Sequence, residues 1–338
     1  MRRTKLSVGK KLLFAAVTVV GLFGVAEVGA RLIHGWNRHW LDCHRYHPKL
    51  GWCLRENWAG KWSWTGGFAR ISPEGLRSDT PIGPKPPGEK RLLILGDSVT
   101  FGANVRTAEA YPQQLDARCR QAGWPWRVLN GGVTSYDPAQ EVEWFEEFGL
   151  HLQPDALAVG FCHNDLWASR RTQADELGTP LATTGLAGNW LTEHSLIAFK
   201  LHRGLGHLHA AIARRTGERS PMIDVTAPVN GWDLVASSYR RLAELARQRQ
   251  LPVCLLVFPS LESLQPTGTY HTTGQVTRLG EELGWLVIDL APAFAPHREA
   301  YFLPNDTIHP NAAGYAAAAA TIFQTWQTKA WLHPALDR

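Results

Sequence analysis

The apolar run Leu92-Leu-Ile-Leu95, closed by Gly96-Asp97-Ser98-Val-Thr100, constrains this chain more than any other stretch. A strand with one wet face alternates apolar and polar residues, so an unbroken apolar run suits a strand buried on both faces of a parallel sheet. Gly96 permits a tight turn, and Asp97, Ser98 and Thr100 are small polar residues placed where a strand hands over to a helix. Open α/β sheets hold their ligands at that edge. Two readings of the turn stand side by side: Asp97 or Ser98 is a helix cap, or Ser98 is an exposed nucleophile.

Downstream, strand-like and helix-like segments alternate. Strands are predicted at Leu92–Leu95, Arg127–Leu129, Ala156–Phe161, Val253–Phe258 and Leu286–Asp289, and helices over 108–122, 138–151, 234–250, 272–283 and 312–328. Pro138 occupies a first-turn position, which tolerates proline. This rhythm predicts an α/β fold, a doubly wound parallel five-stranded sheet with helices on both faces. Residues 166–230 interrupt it after the third strand as a helical insertion, a candidate lid over the sheet edge.

The net charge of +5 does not spread over the chain: Arg2, Arg3, Lys5, Lys10 and Lys11 precede the first acid, and the remainder is close to neutral. That placement excludes a nucleic-acid surface and points to membrane topology. Leu12 to Ala26 carries no ionisable residue, and the apolar character continues through Val28-Gly29-Ala30, near the roughly 20 residues a membrane helix needs. The small residues allow a cleaved signal peptide. Glu27 and Arg31 at i, i+4 spacing, followed by Trp36 and Trp40, favour an uncleaved anchor with its basic end in the cytoplasm.

Five scattered cysteines form neither a disulfide framework nor a zinc site. Export would permit a Cys43 to Cys53 bridge, whereas Cys119, Cys162 and Cys254 read as small buried hydrophobes. His194, His202, His207 and His209 invite a metal, but His207 and His209 do not share a helix face and no carboxylate stands at ligand spacing. No metal or cofactor is expected. Trp52, Trp58, Trp62 and Trp64 of the leader either stack on sugars or plug a junction with the main body, and packing is the favoured role.

Three further polar stretches fall at predicted strand ends: Asn130-Gly131-Gly132-Val133-Thr134-Ser135-Tyr136, Gly160-Phe161-Cys162-His163-Asn164-Asp165 and Asn305-Asp306-Thr307-Ile308-His309-Pro310-Asn311. With Gly96-Asp97-Ser98, their order and spacing resemble the SGNH, or GDSL-type, hydrolase superfamily, in particular bacterial members with an N-terminal membrane segment. The resemblance runs from Arg91 to about Trp326, and His47-Pro-Lys-Leu-Gly-Trp52 and Ser72-Pro-Glu-Gly-Leu-Arg77 resemble the leader of those members. It implies a flavodoxin-like fold and the organisation 1–34 anchor or signal, 35–90 tryptophan-rich leader and linker, 91–330 hydrolase domain.

The resemblance also implies roles. Ser98 is the nucleophile, His309 its base and Asp306 the acid that orients the imidazole, while the N–H groups of Ser98 and Gly132 and the Asn164 amide form the oxyanion hole. Ser135 and Cys162 depart from the family's usual glycines, and His163 is a rival base that lacks an acid at the expected spacing. The expected activity is hydrolysis of acyl esters, acetyl foremost, on a polysaccharide or glycolipid outside the cytoplasm. Transfer of the acyl group to a sugar hydroxyl uses the same triad and is the alternative. A non-catalytic carbohydrate-binding scaffold is the third reading, and mere binding does not require the set Ser98, Asp306 and His309.

Overall fold

The computed structural model describes residues 7–34, 43–47, 49–61, 67–166, 195–198, 201, 231–265 and 271–332. The chain divides into two compact units, residues 1–42 with 175–223 and residues 43–174 with 224–338.

In the first unit, helix α1 (Val8–His34) is apolar, exposed from Val8 to Ala26 and partly buried at Glu27, Gly29, Ala30 and Arg31. Its segment Val8–Ile33, 26 residues with none of its apolar core buried, is long enough to cross a membrane. At about 1.5 Å per residue it spans roughly 39 Å, against a hydrocarbon layer of about 30 Å. Near its end Arg31 Nε donates to Glu27 Oε1 at 2.7 Å. The same carboxylate accepts from Ser195 Oγ at 2.8 Å, Leu196 N at 2.8 Å and Ile197 N at 3.0 Å. Glu27 thus serves the orphan N–H groups of the turn that starts at Ser195. His194, His202, His207 and His209 lie outside the described residues, as does most of 166–230.

The second unit opens with two antiparallel pairs, β1 (His44–His47) with β2 (Gly51–Leu54) and β3 (Ala59–Lys61) with β4 (Phe68–Arg70). A parallel sheet follows, built from β5 (Lys90–Gly96), β6 (Trp126–Asn130), β7 (Ala156–Phe161), β8 (Val253–Val257) and β9 (Leu286–Asp289) in the order β6-β5-β7-β8-β9. After β6 the chain crosses over β5 to reach β7, so the switch in strand order puts a crevice at the carboxyl end of β5, where Ser98 emerges.

Register sorts the core into two layers. Ile94, Ala158 and Cys254 are aligned across β5, β7 and β8 and face α3 (Tyr111–Gln121) and α8 (Ala312–Thr328). Leu95, Val159 and Leu255 form the next row and face the opposite layer, α4 (Pro138–Glu147), α5 (Gly231–Gln248) and α6 (His271–Glu282). Every side chain in both rows is buried, and full burial of a leucine or isoleucine contributes about 1.5–3 kcal/mol.

The five strands stand where the apolar runs predicted them; helix ends differ. The helix expected from 108 begins at Tyr111, because Thr107–Glu109 forms a separate tight turn and Ala110 is extended. Pro112 then sits in the first turn, where its missing N–H costs nothing. The helix expected to reach 151 ends at Glu147, and Gly149–Leu152 tightens into a 3-10 turn against Phe145 and Leu93.

The leader is docked rather than trailing. Trp52 is buried, donates from Nε1 to Thr134 O at 3.2 Å and packs against Tyr136, whose hydroxyl donates to Trp52 O at 2.5 Å. Gln140 Nε2 donates to Leu50 O at 2.6 Å. Trp58 is half-buried, and Trp62 and Trp64 lie outside the described residues. No disulfide joins Cys43 to Cys53; both are buried thiols, as are Cys119, Cys162 and Cys254.

Candidate active site

The turn that carries Ser98 is tightly specified. Asp97 caps α2 (Ser98–Phe101), its Oδ1 accepting from Val99 N at 2.8 Å. Gly102, in the left-handed region at φ 82°, ends the helix after four residues. Thr100 turns back into the sheet, its Oγ1 2.9 Å from the Tyr111 hydroxyl. Gly96 and Gly160 make room for it, since a Cβ at either position would collide with the Thr100 hydroxyl. Asp97 is therefore the cap, and Ser98 is the first residue of the helix that cap starts.

Ser98 Oγ lies 2.9 Å from His309 Nε2, and His309 Nδ1 lies 2.7 Å from Asp306 Oδ2. The other Asp306 oxygen accepts from the backbone of Ile308 and His309, both at 2.9 Å, so the carboxylate is held by its own loop. Burial alone would raise its pKa, but the His309 ring and these two N–H groups outweigh that and bring it to about 2. An ionised Asp306 fixes the proton on Nδ1 and leaves the Nε2 lone pair facing Ser98. The loop is moored on both sides: Leu261 N donates to Thr307 O at 2.7 Å, and Asn311 caps α8. His309, not His163, is the imidazole at the Ser98 hydroxyl. His163 is half-buried at the start of a 3-10 turn, and burial lowers its pKa.

Asp97 does more than cap. Its Oδ2 accepts from Asn164 Nδ2 at 2.7 Å, from Ser98 Oγ at 3.1 Å and from the Cys162 thiol at 3.4 Å. One of the two Asn164 amide protons is thereby fixed, which orients the other. The Ser98 hydroxyl has a single proton and two acceptors in reach, Asp97 and His309.

Gly132 is placed differently from the role of N–H donor to an oxyanion. Its N–H donates to Asn130 Oδ1 at 3.0 Å, and its Cα packs on the backbone of Thr100 and Phe101. Ser135, two residues beyond Val133, has a positive φ of 60° in a loop gripped by the leader: His44 Nε2 lies 2.9 Å from Thr134 Oγ1. Full burial, with the Arg55 charge adding to it, lowers the His44 pKa to about 3, so this imidazole is neutral.

Below the turn lies an acidic floor. Asp97, Cys162 and Asp165 place ligand-type atoms within 4.8 Å of one another, the one such group among the described residues. Asp165 Oδ2 accepts from Cys162 N at 2.8 Å, and burial, then the Asp97 and Asp165 charges, push the Cys162 thiol well above its ordinary pKa. A protonated thiol and carboxylates already serving N–H donors fit a hydrogen-bonded floor better than a metal cage. Burial, then Asp97, also raises the carboxyls of Asp165 and Glu141 well above the usual range.

The model of the GDSL-like lipase/acylhydrolase family matches residues 94–317, which include all four polar stretches. The chain belongs to that family. As a GDSL-like enzyme it is a carboxylic ester hydrolase. No curated protein matches it in sequence. Similar solved structures include the psychrotrophic esterase EstA from Pseudoalteromonas sp., at 10% identity, covering 71% of this chain and 98% of that one with a TM-score of 0.43. A catalytic mutant of an acetylxylan esterase from Geobacillus stearothermophilus is 16% identical, with 70% and 93% covered and a TM-score of 0.43.

The structure thus brings Ser98, His309, Asp306 and Asn164 to one crevice. Two participants escaped the sequence reading, the three-way grip of Asp97 Oδ2 and the hold of Asn130 on Gly132. Neither leaves a periodic or spacing signal.

Proposed function

We propose that this GDSL-like enzyme is a membrane-anchored serine esterase, facing the periplasm or cell exterior, that removes short acyl groups, acetyl foremost, from a polysaccharide or glycolipid. The observation that carries the reading is the continuous line from Ser98 Oγ through His309 to Asp306, at 2.9 and 2.7 Å. As Ser98 Oγ attacks the ester carbonyl, His309 Nε2 takes its proton and Asp306 stabilises the imidazolium. The tetrahedral oxyanion meets the Ser98 N–H, which helix geometry leaves without an intrahelical partner, and the second Asn164 amide proton. The Gly132 N–H joins them only if it leaves Asn130. His309 returns the proton to the departing alkoxide, the acyl group stays on Ser98 Oγ, and water activated by the same imidazole releases it as carboxylate.

A short acyl group fits a site whose serine is 8% exposed and whose floor is occupied by the Cys162 side chain between Asp97 and Asn164. Two observations support a retained anchor: α1 runs unbroken through Val28-Gly29-Ala30 to His34, and Glu27 caps the turn at Ser195. Cleavage after Ala30 would remove that cap from the mature protein.

The test uses full-length protein in detergent with acetate, butyrate and octanoate esters, and with acetylated polysaccharide in the presence and absence of a free oligosaccharide. Acetate esters should turn over fastest, with free acetate as product in both polysaccharide reactions. Fastest turnover of the octanoate would refute the short-acyl site, and acetyl appearing on the oligosaccharide in place of free acetate would make the enzyme a transferase. A mature protein starting near Arg31 would remove the anchor.

A further inference from the structure

We infer that Arg77, delivered by the leader, is a positioning residue for the nucleophile turn; the inference rests on the reading of Ser98 as nucleophile. Arg77 is fully buried, although no acid among the described residues hydrogen-bonds it. Its guanidinium is spent on the carboxyl end of the Ser98 helix. Nη1 donates to Phe101 O at 2.7 Å and to Gly102 O, and Nη2 donates to Val105 O at 2.6 Å. The plane also lies over the Phe101 ring, 4.7 Å from its centroid. A helix of four residues cannot satisfy its own last carbonyls, and a cation at its C-terminus complements their partial negative charge.

The delivery is purpose-built. Ser72 Oγ accepts from Glu74 N and Leu76 N, Gly75 adopts φ 78°, and Ser72 N donates to Leu76 O, closing a tight turn whose next residue is Arg77. Gln113 Nε2 holds the Arg77 carbonyl at 2.8 Å. The receiving side matches: a Cβ on Gly102 would collide with Ala110 Cβ and stand 2.9 Å from Nη1, so the glycine that the φ of 82° favours also leaves the guanidinium its room. The cost of the arrangement appears in the pKa, which burial lowers to about 10, and in Nε, which has no partner among the described residues.

The Arg77 bonds go to backbone carbonyls and not to the Ser98 hydroxyl; it acts through the helix that aims Ser98 at His309. Its loss should therefore slow the chemical step rather than weaken binding. In full-length protein, Arg77→Met should lower kcat about tenfold or more with KM changed less than about threefold, and Arg77→Lys, which keeps the charge and three donors, should recover part of the loss. The rate at which a serine-directed phosphonate labels Ser98, counted per folded molecule by circular dichroism and melting, should fall in parallel with kcat. Folded variants labelled at the wild-type rate would overturn the inference alone. So would a lysine, glutamine and methionine series in which none folds, because Arg77 would then belong to the fold only. A wild-type protein that phosphonate does not label at Ser98 would instead overturn the assignment of the nucleophile, and this inference with it.

Discussion

Replacing Gly132 with alanine separates two roles that this residue could play. Alanine keeps the backbone N–H, so a glycine needed only as a donor would tolerate the change. The structure gives it another task. An added Cβ would lie 2.7 Å from the Thr100 carbonyl carbon and 2.8 Å from Phe101 Cα, and closer still to the Phe101 nitrogen. These are backbone atoms that no rotamer change moves, so reaching ordinary contact displaces α2 by roughly 1 Å, within a core packed to crystal-like density. Ser98 stands on that helix with only 2.9 Å to His309 Nε2, and the same shift takes the pair out of hydrogen-bond range. Overpacking of this kind costs about 1–3 kcal/mol, and a misplacement of about 1 Å at a reacting atom costs about 10²-fold in kcat. Initial rates on an acetate ester, read beside thermal melting, provide the assay. A variant with kcat within twofold of wild type and an unchanged melting temperature would refute the packing argument.

Gly274 in α6 supplies the control, because a Cβ there meets nothing within 4 Å; Gly274→Ala should raise stability by about 0.5–1 kcal/mol in denaturant titration with activity unchanged. Ser98→Ala should abolish turnover and phosphonate labelling while melting as wild type does, and hydrolysis at the wild-type rate would disprove the mechanism. Asp306→Asn should lower kcat roughly 10³–10⁴-fold by freeing the wrong imidazole tautomer, a loss that activity assays on the folded variant would reveal. The Asp306 carboxylate, depressed to about 2, contributes stability above the ordinary carboxylate range that is lost only as pH falls through about 2. His44 has the opposite consequence. Its pKa drops from 6.5 to about 3 on folding, so below 6.5 the unfolded chain binds the extra proton and stability declines as pH falls toward 3. At about pH 5 the deficit is roughly 2 kcal/mol, and melting curves should show wild type losing ground to His44→Gln on acidification.

Much of this molecule is written locally. Uninterrupted apolar runs such as Leu92–Leu95 and Ala156–Phe161 mark strands buried on both faces, and their alternation with helices leaves few topologies. The serine, histidine, aspartate and asparagine of the crevice were legible through the family resemblance of four short stretches at strand ends, whose fixed spacings include the three residues from Asp306 to His309. What was illegible depends on approach in space. Nothing near Gly132 announces that α2 will press on it, and nothing near Arg77 announces carbonyls two dozen residues downstream. Helix starts depart from the sequence expectation where turn chemistry intervenes, as at Thr107–Glu109, since a tight turn and a first helical turn share the same polar residues.

The hydrogen bonds between the β1–β2 hairpin and the loop after β6 also bear on how this enzyme can be cut. The family's match begins at residue 94, yet Trp52, Leu50 and His44 hold Thr134, Tyr136 and Gln140 in place. A soluble fragment trimmed to the family boundary would strip a buried tryptophan, a buried histidine and a buried arginine from surfaces never meant to be wet. One starting at Cys43 would keep them, and is the shorter chain that should crystallise, express without detergent and still cleave esters.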